Sequence, residues 1–70
     1  MKLIVYVTEI RKAKGLTQAD LAKLANVSRK TINTIENNVF VPSTILALTL
    51  AKVLDVSVHE LFELPDTDSH

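Results

Sequence analysis

Apolar residues recur every three or four positions through the middle of the chain, a spacing typical of short amphipathic helices. The apolar positions of the two central helices are Leu21, Ala22, Leu24 and Ala25 in the first and Ile32 and Ile35 in the second. We expect these helices at about residues 18–25 and 29–37. Thr17 and Ser28 precede them as N-caps, because their hydroxyls accept hydrogen bonds from free backbone N–H groups. Asn26 tolerates the left-handed conformation, so the pattern predicts a tight turn between the helices.

The second central helix leaves its polar positions on one outer surface. These positions are Arg29, Lys30, Thr31, Asn33, Thr34 and Asn37. They carry positive charge, hydroxyl groups and amides, which donate and accept hydrogen bonds. The major groove of B-DNA admits an α-helix and presents base donors and acceptors to it. The pattern therefore favours a helix that contacts DNA.

The C-terminal half of the chain predicts two more helices after an extended loop. We expect a helix at residues 44–54, capped by Ser43, with apolar positions on more than one face. An apolar outer side in so small a protein suggests that the helix meets another subunit. A short fifth helix is expected at residues 59–64, where Ser57 and the carboxylate three residues later form a capping box and Pro65 ends the helix.

The N-terminal segment leaves two alternatives open. The first helix begins near Lys2 with Leu3 on its buried side, or residues 2–7 form a strand and the helix begins after Thr8 as its N-cap. The β-branched and aromatic composition favours a strand. A lone strand in a helical domain would need the same strand from a second copy as its partner. In both cases Ala13 is expected to face inward and Gly15 to end the helix.

Size and composition indicate one small domain without disulfides, because the chain has 70 residues and no cysteine. We expect a core at residues 8–64 and a polar tail at residues 65–70. The sequence has neither a signal peptide pattern nor a long apolar run, so a cytoplasmic location is expected. The net charge is zero, but residues 1–30 carry seven basic and two acidic side chains, whereas residues 31–70 carry one basic and six acidic. This asymmetry suggests a basic face for a polyanion.

The order of these motifs resembles the Xre/Cro-like helix-turn-helix family of phage and bacterial repressors. The resemblance rests on Arg11–Gln18, Leu21-Ala22, Val27–Arg29, Thr31-Ile32, Ile35–Asn37, Pro42-Ser43, Leu50–Leu54, Val56-Ser57 and Glu60–Phe62. It implies an all-α, five-helix, lambda-repressor-like DNA-binding domain, with the short N-terminal strand as the open alternative. Asn26, Asn38 and Asp55 stand where the family commonly has glycine, but Asn and Asp tolerate such turns.

The resemblance also implies a set of DNA-binding residues. They are Gln18, Ser28, Arg29, Lys30, Thr31, Asn33, Thr34, Asn37 and Asn38. Gln18 is expected to position the first central helix on a phosphate, while Arg29 and Asn33 lie among the base-reading positions. Thr31 is expected to contact a phosphate or a thymine methyl group. Asn37 and Asn38 are expected to contact the DNA backbone. Arg11 and Glu36 match a family pair that joins the first helix to the end of the third.

Other kinds of site find little support in the residues. His59 has no second His or Cys at ligand spacing, so we expect no metal site and no cofactor. The serines are caps without a catalytic base, so we expect no enzyme activity. The expected function is sequence-specific binding of double-stranded DNA by a homodimeric transcriptional repressor. The alternative is a protein-interaction module, such as an antitoxin-like partner, with secondary DNA binding. The dimer surface is left open between residues 3–7 and the fourth helix.

Overall fold

Five short helices and one pair of two-residue strands make up the structure, a computed structural model that describes residues 2–66. The elements are β1 (Ile4–Val5), α1 (Val7–Ala13), α2 (Gln18–Ala25), α3 (Arg29–Glu36), α4 (Thr44–Leu54), α5 (Val58–Leu61) and β2 (Phe62–Glu63). The predicted five-helix architecture is confirmed, and the short N-terminal strand is present. Residues 67–70 of the predicted polar tail lie outside the described residues.

The helix boundaries follow the local signals in the sequence. The Thr17 hydroxyl accepts from the Asp20 N–H at 3.0 Å, and the Thr17 N–H donates back to the Asp20 carboxylate at 3.0 Å. The hydrogen bond from the Thr17 N–H holds the pKa of Asp20 below its usual value. Asn26 and Asp55 end α2 and α4 in the left-handed conformation, with φ of 59° and 58°. These short polar side chains therefore replace glycine at both turns, as expected.

The core lies between α2, α3 and α4, with one buried apolar residue each from α1 and α5. Its apolar members are Val7, Leu21, Ala22, Ala25, Ile32, Ile35, Leu50, Ala51, Leu54 and Leu61. Burying a Leu or Ile side chain contributes roughly 1.5–3 kcal/mol, so the two isoleucines of α3 fix its orientation strongly. Leu24 belongs to the apolar pattern of α2 but is 56% exposed, and Ala13, expected to face inward, is exposed.

The N-terminal segment pairs within its own chain. β1 runs antiparallel to β2, with Ile4 opposite Glu63 and Val5 opposite Phe62. The expectation that such a strand needs a second copy is therefore wrong, because the chain after α5 is extended and supplies the partner. A helix beginning near Lys2 is also wrong, and so is Thr8 as the N-cap, since α1 begins at Val7.

The fifth helix is shorter than its capping box and Pro65 suggest. It ends at Leu61, and Phe62 is already extended with φ of −136° and ψ of 139°. The prediction of a helix at residues 59–64 is wrong because hydrogen bonding to β1 replaces the last helical turn. The Tyr6 N–H donates to the Leu61 carbonyl at 2.8 Å and closes this end of the pair.

Candidate nucleic-acid interface

The outer face of α3 gathers most of the expected DNA-binding residues on one surface. Ile32 and Ile35 are fully buried and hold the opposite side of the helix against the core. Arg29 and Lys30 are exposed in its first turn. Thr31, Asn33 and Thr34 are half-buried, and Asn37 is exposed just past the last helical residue. The sequence prediction of which side of this helix faces outward therefore agrees with the structure.

The two positive charges of α3 are available for an anion. Within residues 2–66 the ion-pair geometry joins only Arg11 and Glu36, so neither Arg29 nor Lys30 is neutralised by a described carboxylate. An arginine can donate two parallel hydrogen bonds to guanine or to a phosphate, whereas a lysine acts as a point charge. The exposed ends of these side chains can therefore reach a base edge or the DNA backbone.

The hydroxyl groups of the interface are partly used within the helix. The Ser28 Oγ accepts from the Thr31 N–H at 3.1 Å and lies 2.9 Å from the Thr31 Oγ1. The Thr34 hydroxyl donates to the Thr31 carbonyl at 2.9 Å. Ser28 is therefore first a cap, as the sequence predicts. Each of these hydroxyls keeps at least one donor or acceptor site for a ligand.

A buried ion pair joins α1 to the end of α3, where the family resemblance implied it. Arg11 donates from Nε to Glu36 Oε2 at 2.7 Å and from Nη2 to Oε1 at 3.2 Å. Its third donor, Nη1, reaches the Leu16 carbonyl at 2.8 Å. The Glu36 side chain is 4% exposed. Burial acts to raise the pKa of Glu36, but the hydrogen bonds from Arg11 and Gln18 outweigh it and lower that pKa.

Gln18 joins this ion pair to the outer face of α3. Its amide nitrogen donates to Glu36 Oε1 at 2.9 Å, and its amide oxygen accepts from Asn33 Nδ2 at 3.5 Å. Asn33 Oδ1 in turn accepts from Asn37 Nδ2 at 3.1 Å. The sequence placed Gln18 at the start of α2 and the other residues on or near α3. It carried no signal for these contacts, because they depend on how α2 crosses α3.

Asn38 differs from the other expected DNA-binding residues because its side chain is bonded to the N-terminal segment. Its backbone is left-handed with φ of 60°, and its side-chain nitrogen donates to the Leu3 carbonyl at 2.7 Å. The residue therefore anchors the N-terminal segment to the end of α3, and sequence reasoning missed this role. No local pattern predicts it, because the two residues are 35 positions apart.

An open groove of about 350 Å³ runs beside α3 and was not expected from the sequence. It is lined by Ser28, Lys30, Thr31, Thr34, Val39 and Phe40. Phe40 is exposed, so it is not a core aromatic. The groove places the apolar side chains of Val39 and Phe40 directly beside the polar outer face of α3.

Metal and membrane sites find no basis in the described part of the chain. Residues 2–66 contain no group of three His, Cys, Asp or Glu side chains that could hold a metal ion. No described helix is long and apolar enough to cross a membrane.

Comparison with known proteins identifies the class to which this fold and surface belong. The Helix-turn-helix family model HTH_3 matches residues 7–61. An HTH-type transcriptional regulator of Methanocaldococcus jannaschii is 41% identical over 58 residues, covering 83% of this chain and 88% of that protein. The chain therefore belongs to the Helix-turn-helix family of DNA-binding transcriptional regulators, which is not a family of enzymes.

Two solved structures share the fold. The restriction-modification controller protein C.AhdI from Aeromonas hydrophila is 38% identical with a TM-score of 0.76, over 80% of this chain and 85% of that one. The biofilm regulator SinR in complex with DNA is 37% identical with a TM-score of 0.71, over 76% of this chain and 86% of that one. SinR, from Bacillus subtilis, is also seen in complex with the protein SinI.

Proposed function

We propose that this regulator is a repressor that binds a specific operator in double-stranded DNA as a homodimer. The observation that carries the proposal is the outer face of α3, where two positive charges without an ion-pair partner among residues 2–66 stand beside hydrogen-bonded amides. In this proposal α3 enters the major groove while α2 crosses the backbone, as in other helix-turn-helix proteins. The SinR–DNA complex supports DNA as the ligand for this fold. Occlusion of a promoter in the cytoplasm would then repress transcription.

The proposed contacts divide into reading and positioning groups. Arg29, Lys30 and Asn33 read base edges, with Thr34 beside them. Gln18 keeps one amide N–H for a phosphate after its bond to Glu36, and it lies in the first turn of α2, where free N–H groups favour an anion. The remaining members of the proposed interface are Ser28, Thr31, Asn37 and Asn38.

The proposed dimer surface is the apolar surface of α4, formed by Ile45 and Leu48. Ile45 is 78% exposed and Leu48 is 55% exposed. Ile45 and Leu48 are three positions apart, so they share one face of α4. Neighbouring exposed apolar side chains mark interaction sites on small proteins. The intramolecular partner of β1 removes the reason for exchanging strands, which favours α4 over the N-terminal segment.

A second copy placed on this surface would present two reading helices to DNA. Dimers of this class read half-sites about 34 Å apart, which is one helical turn of DNA. Sedimentation equilibrium of the wild type and of Ile45→Lys tests the surface. A dimer that the substitution converts to a folded monomer supports it. An unchanged dimer places the interface elsewhere.

Binding to DNA is tested by fluorescence anisotropy on fragments that include the promoter of the protein's own gene. We expect preference for one fragment over competitor DNA, and an affinity that falls steeply with salt because phosphate contacts release counterions. The absence of any preferred fragment, even at low salt, would contradict the repressor proposal.

The second candidate function is a protein-interaction module, such as an antitoxin-like partner, and the apolar surface of α4 favours it. The complex of SinR with SinI supports a protein partner for a relative. In that case a different chain, rather than a second copy, would cover Ile45 and Leu48. Wild-type protein that is monomeric alone, binds no preferred DNA and co-purifies in a fixed ratio with one other protein would favour this candidate.

A further inference from the structure

Four side chains form an ordered series that leads from the buried ion pair to the reading face of α3. The series runs from Glu36 to Gln18, then to Asn33 and to Asn37. Each amide donates its N–H toward the residue that precedes it in the series. The two ends differ, since the Glu36 side chain is 4% exposed and Asn37 is exposed.

Glu36 determines which atom of each amide donates and which accepts in this series. An ionised carboxylate only accepts hydrogen bonds, so the amide of Gln18 must turn its nitrogen toward Glu36 Oε1. Its oxygen then faces Asn33, which must present its own nitrogen in return. Arg11 keeps Glu36 ionised with two hydrogen bonds to the same carboxylate.

Asn33 is held from both sides by this series. One neighbour accepts from its Nδ2 at 3.5 Å, and the other donates to its Oδ1 at 3.1 Å. The first link is long, so the second link, from Asn37, carries much of the orientation. A flipped Asn33 amide would place two oxygens face to face at Gln18 and two nitrogens face to face at Asn37. The flipped state is therefore disfavoured at both contacts.

The hydrogen-bonding capacity that Asn33 retains matches one base. An asparagine amide has two N–H donors and an oxygen that accepts twice, and the series uses one of each. One donor and one acceptor remain. Adenine offers the matching pair in the major groove, the N7 acceptor and the N6 amino donor, whereas guanine offers two acceptors.

We propose that Glu36, Gln18 and Asn37 are positioning residues that lock the Asn33 amide in the orientation that reads adenine. This inference rests on the proposed DNA-binding function and adds a specificity determinant to it. The buried ion pair then has a second role besides joining α1 to α3. It sets the base preference of a side chain that it does not touch.

Selection of binding sites from random double-stranded DNA tests the inference. We expect the wild type to select adenine at one position of each half-site and Asn33→Ala to reduce that preference by about 5- to 150-fold. Asn37→Ala and Glu36→Gln should weaken the preference at that same position by several-fold while other positions keep theirs. Arg29→Ala is the matched control, because Arg29 lies outside the series and should relax a different position.

The outcomes separate the inference from the function on which it rests. If Asn33→Ala leaves the selected adenine unchanged, or if Asn37→Ala and Glu36→Gln both retain the full preference, the inference is overturned and the repressor proposal stands. If the wild type selects no sequence, both are overturned. Circular dichroism checks that each variant is folded. Should Glu36→Gln fail to fold, Asn37→Ala decides alone, because its side chain is exposed at the end of α3.

Discussion

Helices α3 and α4 begin with the same kind of cap, but their exposed faces differ in chemistry. Each is capped by a serine, Ser28 or Ser43, whose hydroxyl accepts a backbone N–H at 3.1 Å. Each buries apolar side chains in the same core. Yet α3 exposes charges and amides, whereas α4 exposes Ile45 and Leu48. The inner faces and caps make the fold, and the outer faces suit different ligands, a polyanion for α3 and a protein surface for α4.

The two helices also differ in how they are held. The end of α3 is joined to α1 by a buried ion pair and to α2 by a side-chain amide, in addition to its apolar contacts. α4 relies on apolar packing, with Leu50, Ala51 and Leu54 buried. Polar contacts have directional geometry, so they fix the rotation and tilt of a helix more closely than apolar packing does. A surface that reads base edges needs that accuracy.

Removing the carboxylate at the end of α3 is expected to have the largest effect. Glu36→Ala leaves the buried Arg11 without its counter-charge, which should cost about 3–5 kcal/mol of unfolding free energy. Urea denaturation followed by circular dichroism measures the loss. The double variant Arg11→Met with Glu36→Leu is the control and should recover part of the stability. A loss below about 1 kcal/mol for Glu36→Ala would show that the ion pair does not anchor α3.

Truncating the two faces of α4 should separate packing from association. Leu50→Ala removes a fully buried side chain and should cost about 2–5 kcal/mol of unfolding free energy. Ile45→Ala, on the exposed face of the same helix, should change the stability of the monomer by less than about 0.5 kcal/mol. Urea denaturation at micromolar and at lower protein concentration measures both. A large, concentration-independent cost for Ile45→Ala would contradict the assignment of that face to association.

Removing one positive charge from each helix should affect DNA binding only on α3. Arg29→Ala is expected to cost about 1–3 kcal/mol of specific binding and to relax the preference at one base pair. Lys52→Ala removes the exposed lysine of α4 and should leave every base preference unchanged. Anisotropy titrations on the selected site and its single-base variants measure both. If both variants weakened the base preference equally, the conclusion that α3 and not α4 reads the DNA would be contradicted.

The smallest expected effect is the pH dependence of the ion pair. The folded-state pKa of Glu36 lies below its usual 4.5, so the pair adds stability above that value. The added stability is lost as the pH falls through the folded-state pKa. The midpoint temperature of thermal unfolding should therefore fall less steeply between pH 7 and pH 3 for Glu36→Gln than for the wild type. Parallel declines would indicate that Glu36 does not titrate with folding.

Local signals predicted most of the helical framework. The limits of α2 and α4 match the expected residues, because their caps and left-handed turns depend on neighbours within four positions. The polar outer face of α3 also follows from its own 3.6-residue period. The ion pair of Arg11 and Glu36 came from the family resemblance rather than from spacing, since these residues are 25 positions apart.

Distant contacts account for the predictions that were wrong. Residues 62 and 63 continue a helical pattern locally, but pairing with β1 satisfies their backbone groups in an extended conformation. Ala13 was expected to face inward, and Leu24 belongs to the apolar positions of α2, yet both side chains are exposed. Local periodicity tells which residues share a side of a helix, but the placement of neighbouring helices decides which of them are covered.

The sequence by itself determined where α2 and α4 begin and end, where α3 begins, and which side chains α3 can offer to a ligand. Capping, turn chemistry and helical period act over a few residues, so they can be read without the fold. The tertiary structure alone decided the partner of β1, the anchoring of Leu3 by Asn38, and the series that connects Glu36 to Asn33. These features require two elements distant in the chain to meet at one angle, which only the packing of the core sets.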